Sequence, residues 1–114
     1  MCMTDGVRGS GPIHPDDKKM YEQEYKQGAN LFQKALRQYQ KSDNTFQQAE
    51  FKDVMHRALG VMNDSAQGLI RKDLEAKNQQ IQKDFDTFQQ FPEDPDTIKQ
   101  LNKDLDDARH SLGG

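Results

Sequence analysis

The sequence predicts an all-α fold, an antiparallel helical bundle, and three observations carry that prediction. Apolar residues recur at steps of three and four through most of the chain after Pro15, the spacing that lines one face of an α-helix. The stripes are interrupted by helix stop and start signals, Ser42-Asp43-Asn44 and Phe91-Pro92-Glu93-Asp94-Pro95, not by strand-like alternation. The apolar residues are few, with Leu, Ile, Val and Phe numbering 21 of 114, yet they fall where amphipathic helices need them. That content borders on the composition of disordered chains, but the net charge of −3 is too small for that class, and the periodicity decides for a packed core.

Residues 1–15 hold three glycines, two prolines and little that packs, and read as a flexible tail ahead of a single bundle domain over residues 16–114. The first helix is expected over residues 16–41. Tyr21, Tyr25, Gly28, Phe32, Ala35 or Leu36, and Tyr39 share one face. Asp16 and Asp17 open it and Arg37 and Lys41 close it, as the helix dipole favours. Gly28 costs about 1 kcal/mol in a helix interior; its place on the apolar stripe points to a neighbouring helix passing close by.

Ser42-Asp43-Asn44 forms a turn, and Thr45 with Gln48 fits a capping box that starts the next helix near Phe46. The stripe that follows runs through Phe51, Met55, Leu59, Met62, Ala66, Ile70, Leu74, Lys77, Ile81, Phe85 and Phe88. It keeps helical phase throughout, with Lys77 free to snorkel. One continuous middle helix, about 65 Å long, is the expectation. A break in Asn63-Asp64-Ser65-Ala66-Gln67-Gly68, which is polar and ends in glycine, is the alternative.

Phe91-Pro92 ends the stripe, because the residue before proline is pushed out of helix. Asp94, Pro95 and Asp96 then read as N-cap, first helical position and first-turn acid. Ile98, Leu101, Leu105, Ala108 and Leu112 follow in a heptad-like, coiled-coil-type seam. The expected architecture is therefore three helices, two short ones folded back along a long middle one, or a four-helix up-down bundle if the middle helix breaks near Asn63–Gly68. Asp64-Ser65-Ala66-Gln67-Gly68-Leu69-Ile70 resembles a stretch of the small helical YlbF/YmcA regulators of bacteria; the likeness covers only these residues, and no functional residue is carried over from it.

Charge and composition exclude several function classes. With 16 basic against 19 acidic residues the chain lacks the basic excess of a nucleic-acid binder. No run approaches 18 apolar residues, so no membrane span is expected. Met1-Cys2-Met3-Thr4-Asp5 lacks the pattern of a signal peptide, so a cytoplasmic location is expected, with leaderless export left open. Cys2 is the single cysteine and reads as a free thiol, leaving packing to hold the fold.

Chemistry-bearing constellations are sparse. His14 lies in the tail, His56 on a polar face near Lys52 and Asp53, and His110 beside Asp106 and Asp107; an Asp106–His110 pair is too few ligands for a metal site. Ser65 has no histidine within helical reach, and no glycine-rich phosphate loop occurs. Asp104, Asp106 and Asp107, like Lys34, Arg37 and Lys41, read as solvated helix faces. Leu112-Gly113-Gly114 reads as a helix end, since nothing upstream fits a ubiquitin-like fold. No enzyme activity, metal or cofactor is expected. The 14 glutamines and 5 asparagines suit a helix that meets other helices.

The expected function is a non-enzymatic protein–protein interaction module: an adaptor, a small chaperone or an assembly subunit. Tyr21, Tyr25, Tyr39, Met55 and Met62 are the candidate partner-binding residues, since Tyr and Met suit adaptable surfaces, provided the middle helix is left partly uncovered. The alternatives are self-association as a structural helical protein, and a small-molecule-binding bundle or enzyme.

Overall fold

The computed structural model describes residues 15–112, in which four α-helices account for nearly all the backbone. They are α1 (Pro15–Lys41), α2 (Thr45–Leu69), α3 (Lys72–Gln90) and α4 (Pro95–Ser111), with no strand among the described residues. The connectors, residues 42–44, 70–71 and 91–94, are short enough that successive helices must run antiparallel. α1 lies most extensively on α2 and α3 on α4, while α2 with α3 and α1 with α4 close the ring.

The core follows from the period of the sequence. Each helix buries residues at alternating steps of four and three: Tyr25, Ala29, Phe32, Leu36 and Tyr39 in α1; Met55, Leu59, Met62, Ala66 and Leu69 in α2; Leu74, Asn78, Ile81, Phe85 and Phe88 in α3. Leu101, Leu105, Ala108 and Leu112 continue the pattern in α4. That spacing keeps one seam facing inward along a shallow helix crossing. Aromatic rings fill the layers between α1 and α3, with Phe32 edge-on to Phe85 at 5.3 Å and Tyr39 edge-on to Phe88 at 5.1 Å. These are the offset geometries that the ring quadrupoles favour.

Gly28 marks the close approach that its place on the stripe implied. A Cβ there would meet Met62 Cγ at 2.9 Å and the Ala58 carbonyl oxygen at 3.0 Å. Gly68 performs the same service for Tyr21, whose ring carbons lie 2.6 Å from the equivalent point.

The middle segment is two helices, not the continuous one expected, so the fold is the four-helix form. The break also falls outside Asn63–Gly68, which is helical throughout. It falls at Ile70, in the left-handed region with φ 54 and ψ 45. The Ile70 amide donates to the Gln67 carbonyl at 3.1 Å and the Arg71 amide to the Ala66 carbonyl at 3.2 Å, the bonding of a Schellman motif. Turning back there lets α3 bury its stripe against α1 and α4, and that burial outweighs the local preference for helix. The turn also resets the stripe. Ile70 is 57% exposed and Lys77 half-buried at the rim, while Leu69 and Asn78 take the interior positions.

The start of α2 is shifted by one residue from the expected Thr45 capping box. Asn44 is the cap, its Oδ1 accepting from the amides of Phe46 at 2.8 Å and Gln47 at 3.3 Å. Asparagine is the stronger N-cap and leaves Thr45 in the first turn. Gln48 instead donates through Nε2 to the Ser42 carbonyl at 2.7 Å. α4 begins as its sequence indicates, with Asp94 Oδ1 accepting from the Asp96 amide at 3.0 Å and Pro95 at the first turn.

Candidate functional site

The five residues nominated from sequence do not form a surface. Tyr25, Met55 and Met62 are fully buried, Tyr39 nearly so, and Tyr21 is half-buried against the same core. The condition attached to them, a middle helix left uncovered, is not met, because the fold at Ile70 lets α2 and α3 cover each other. Met62 packs over Gly28 and Tyr39 against Phe88, as core side chains do.

Tyr25 does more than fill space. Its hydroxyl donates to Asn78 Oδ1 at 2.7 Å inside the bundle. Burial, aided by the charge of Asp73, pushes the phenol well above its ordinary range, so it stays a neutral donor. The antiparallel register set by Gly28 against Met62 and Gly68 against Tyr21 brings Ser65 level with Tyr25. Ser65 is fully buried as well, and its Oγ, like Asn78 Nδ2, has no protein partner. The layer is polar and closed to solvent. Its effect is to penalise any helix register that separates Tyr25 from Asn78, because a buried amide without a partner is costly.

Charged side chains cluster on the outside of the helix pairs. Between α1 and α4, a shallow groove of about 230 Å³ is lined by Lys26, Asn30, Asp106, Arg109 and His110. Arg109 donates to Asn30 and Asp106, and Gln33 donates to Asp106 Oδ1 at 3.1 Å. The Gln33 amide and then Arg109 hold the Asp106 carboxyl below its usual range. His110 Nδ1 lies 3.0 Å from the Asp106 carbonyl oxygen. His56 is exposed on α2 with its ring 5.7 Å from that of Phe85, so these two histidines sit on different helices and do not converge. Among the described residues no group of three or more His, Cys, Asp or Glu side chains comes together to hold a metal ion. No helix among them is long and apolar enough to cross a membrane. Lys34, Arg37 and Lys41 are all exposed on α1. Cys2, His14 and the rest of residues 1–14 of the expected flexible tail lie outside the described residues, as do the final Gly113-Gly114, while Pro15 opens α1.

Accessible apolar side chains lie elsewhere: Met20, Leu31 and Val61 along the helices, Ile70 at the α2–α3 corner, and two aromatic rings at the other end. Phe46 is 79% and Phe91 58% exposed. Phe46 lies in the first turn of α2 and Phe91 just past the last turn of α3, so both stand at the bundle end where the α1–α2 and α3–α4 connectors meet. Exposed carboxylates of Asp43, Glu93, Asp94 and Asp96 share that end with the cation Lys41. The sequence held a signal for each. Phe46 is nine residues from Met55, about half a turn off the buried stripe, and Phe91 precedes Pro92, whose backbone effect ends the helix before the ring can join the core. No known protein family, curated protein or solved structure matches this chain.

Proposed function

We propose that this protein is a non-enzymatic protein–protein interaction module, an adaptor or assembly subunit, and that it docks its partner on the aromatic, acidic end of the bundle. The observation that supports this reading is the exposure of Phe46 and Phe91 together on one end of a molecule whose other phenylalanine and tyrosine rings are buried or half-buried. Large apolar side chains grouped on a surface mark contact sites more often than scattered ones do, and aromatic anchors dominate interface energetics. The surrounding carboxylates select a partner segment that is basic around an apolar centre, and they steer its approach.

The test is capture from lysate by the wild-type chain and by a Phe46→Ser/Phe91→Ser double variant. Both side chains are solvent-facing, so each change is expected to alter unfolding free energy by less than about 0.5 kcal/mol. The expected result is a partner held by the wild type and lost with the double variant, with binding that weakens as salt is raised. A partner retained at full strength by the double variant rules this end out as the docking surface.

A further inference from the structure

We infer that this chain exchanges its helical hairpins with a second copy of itself, opening at Ile70-Arg71 so that α2 and α3 run on as one helix from Thr45 to Gln90. The inference rests on the hinge alone and does not depend on the aromatic end.

The three connectors differ in how they are written. The α1–α2 turn has the Asn44 cap, and the α3–α4 turn has Pro92, the Asp94 cap and Pro95. Each of these stops and restarts a helix by local chemistry. The α2–α3 corner has no proline or glycine at residues 69–73, and Arg71 makes no capping hydrogen bond through its side chain at the start of α3. Its left-handed position is held by Ile70, the single non-glycine residue with positive φ among those described. A β-branched residue is among the least suited to that conformation. Being 57% exposed, the Ile70 side chain recovers little by packing there. In a continuous helix the same residue returns to right-handed geometry and the broken backbone hydrogen bonds re-form.

What opposes opening is one local ion pair and a set of tertiary contacts. The Arg71 guanidinium binds Asp73 at 2.6 and 2.9 Å and donates to the Ser111 carbonyl at 2.9 Å. The α1α2 and α3α4 hairpins also pack on each other. Each of those packing contacts joins a residue before Ile70 to one after Arg71: Phe32 with Phe85, Tyr39 with Phe88, Tyr25 with Asn78, Gln33 with Asp106. All of them can be made unchanged by the α3α4 hairpin of a second copy. Exchange therefore keeps the core and relieves two left-handed isoleucines per dimer, at the cost of the Arg71–Asp73 pair, which i,i+2 residues cannot make on a continuous helix, and of the entropy of association, which is the general logic of domain swapping. The product is a two-fold dimer with a bundle at each end of two antiparallel helices, each about 70 Å long.

The experiment is sedimentation equilibrium on wild type, Ile70→Gly and Ile70→Ala, each refolded from denaturant at low and at high protein concentration. Reducing conditions keep Cys2 from linking chains. The wild type is expected to give a dimer whose share rises with refolding concentration. Ile70→Gly, at ease in left-handed geometry, is expected to raise the dissociation constant at least about tenfold. Ile70→Ala, a better helix former with no such ease, is expected to match the wild type or dimerise more tightly. Spin labels at Gln47→Cys and Gln90→Cys in a Cys2→Ser background, diluted with unlabelled chain, read the within-chain span. It is expected to rise from about 10 Å in the monomer to about 60 Å or more in the dimer. Wild-type and Ile70→Ala chains that stay monomeric at every concentration overturn the inference. So does a dimer whose dissociation constant is the same in all three proteins, or one in which the within-chain span stays short.

Discussion

Gly28 and Gly60 occupy helix interiors, where glycine costs about 1 kcal/mol relative to alanine, yet the two are not alike. At Gly60 an added Cβ meets nothing within 4 Å, whereas at Gly28 it meets the Met62 side chain and the rigid Ala58 backbone at 2.9 and 3.0 Å. Gly60→Ala is therefore expected to stabilise the fold by about 0.5–1 kcal/mol. Gly28→Ala is expected to destabilise it by about 1–3 kcal/mol through overpacking. Urea unfolding of both variants checks the pair, and equal signs refute the close approach of α1 and α2. The role of Gly28 was legible in the sequence because it interrupts an apolar stripe. The role of Gly68 was not: it sits in a polar run, and only the position of Tyr21 reveals what it is for. The same limit explains Asn78. A lone amide beside Lys77 looks like solvent-facing surface until a tyrosine from α1 is placed against it.

At the scale of the element, the signals written in neighbouring residues proved the dependable ones. Asp94 and Pro95 start α4 and Phe91-Pro92 ends α3, as local sterics and capping require. The cap of α2 was misplaced by one residue, to Thr45, because the sequence offers two adjacent candidates and only geometry selects Asn44. Asn44→Ala is expected to cost about 0.5–2 kcal/mol and Thr45→Ala much less, as thermal or urea unfolding of the two variants will report. A larger loss at Thr45 restores the original capping box. The α2–α3 corner is the opposite case. Its residues carry no stop signal, and periodicity alone runs straight through it, so a continuous helix was the natural reading. The corner exists because folding back buries the stripe of α3, a gain that no window of neighbouring residues contains.

The stability of the whole molecule carries a pH signature set by two carboxylates of opposite behaviour. Asp73 is held at a pKa of about 2 by its hydrogen bond to Arg71. A depressed folded pKa stabilises above the unfolded value of about 4 and loses that stabilisation as pH falls toward 2. The pair is half-exposed, so its contribution is small and screened by salt. Asp84 goes the other way: burial raises its pKa, and its Oδ2 has no partner. Its charge is a burden at neutral pH that disappears once the group is protonated. Asp84→Asn is therefore expected to raise unfolding free energy at pH 7 and to leave it unchanged below about pH 4. Asp73→Asn is expected to lower it at pH 7 and to converge with the wild type near pH 2. Unfolding curves across this range check both, and an Asp84→Asn advantage that persists in acid contradicts the assignment to charge burial.

Taken alone, the sequence determined the helical class, the seams facing inward, two of the three turns and the close approach at Gly28. All of these follow from periodicity and local chemistry, which act over a few residues. Only the tertiary structure decided that the middle segment divides, that Tyr25 meets Asn78, and that Tyr21, Tyr25, Tyr39, Met55 and Met62 pack on or within the core while Phe46 and Phe91 stay outside. The reason is physical. Which apolar face is covered, and which polar group finds a partner, depends on residues tens of positions away that a helix brings alongside only after the chain has turned.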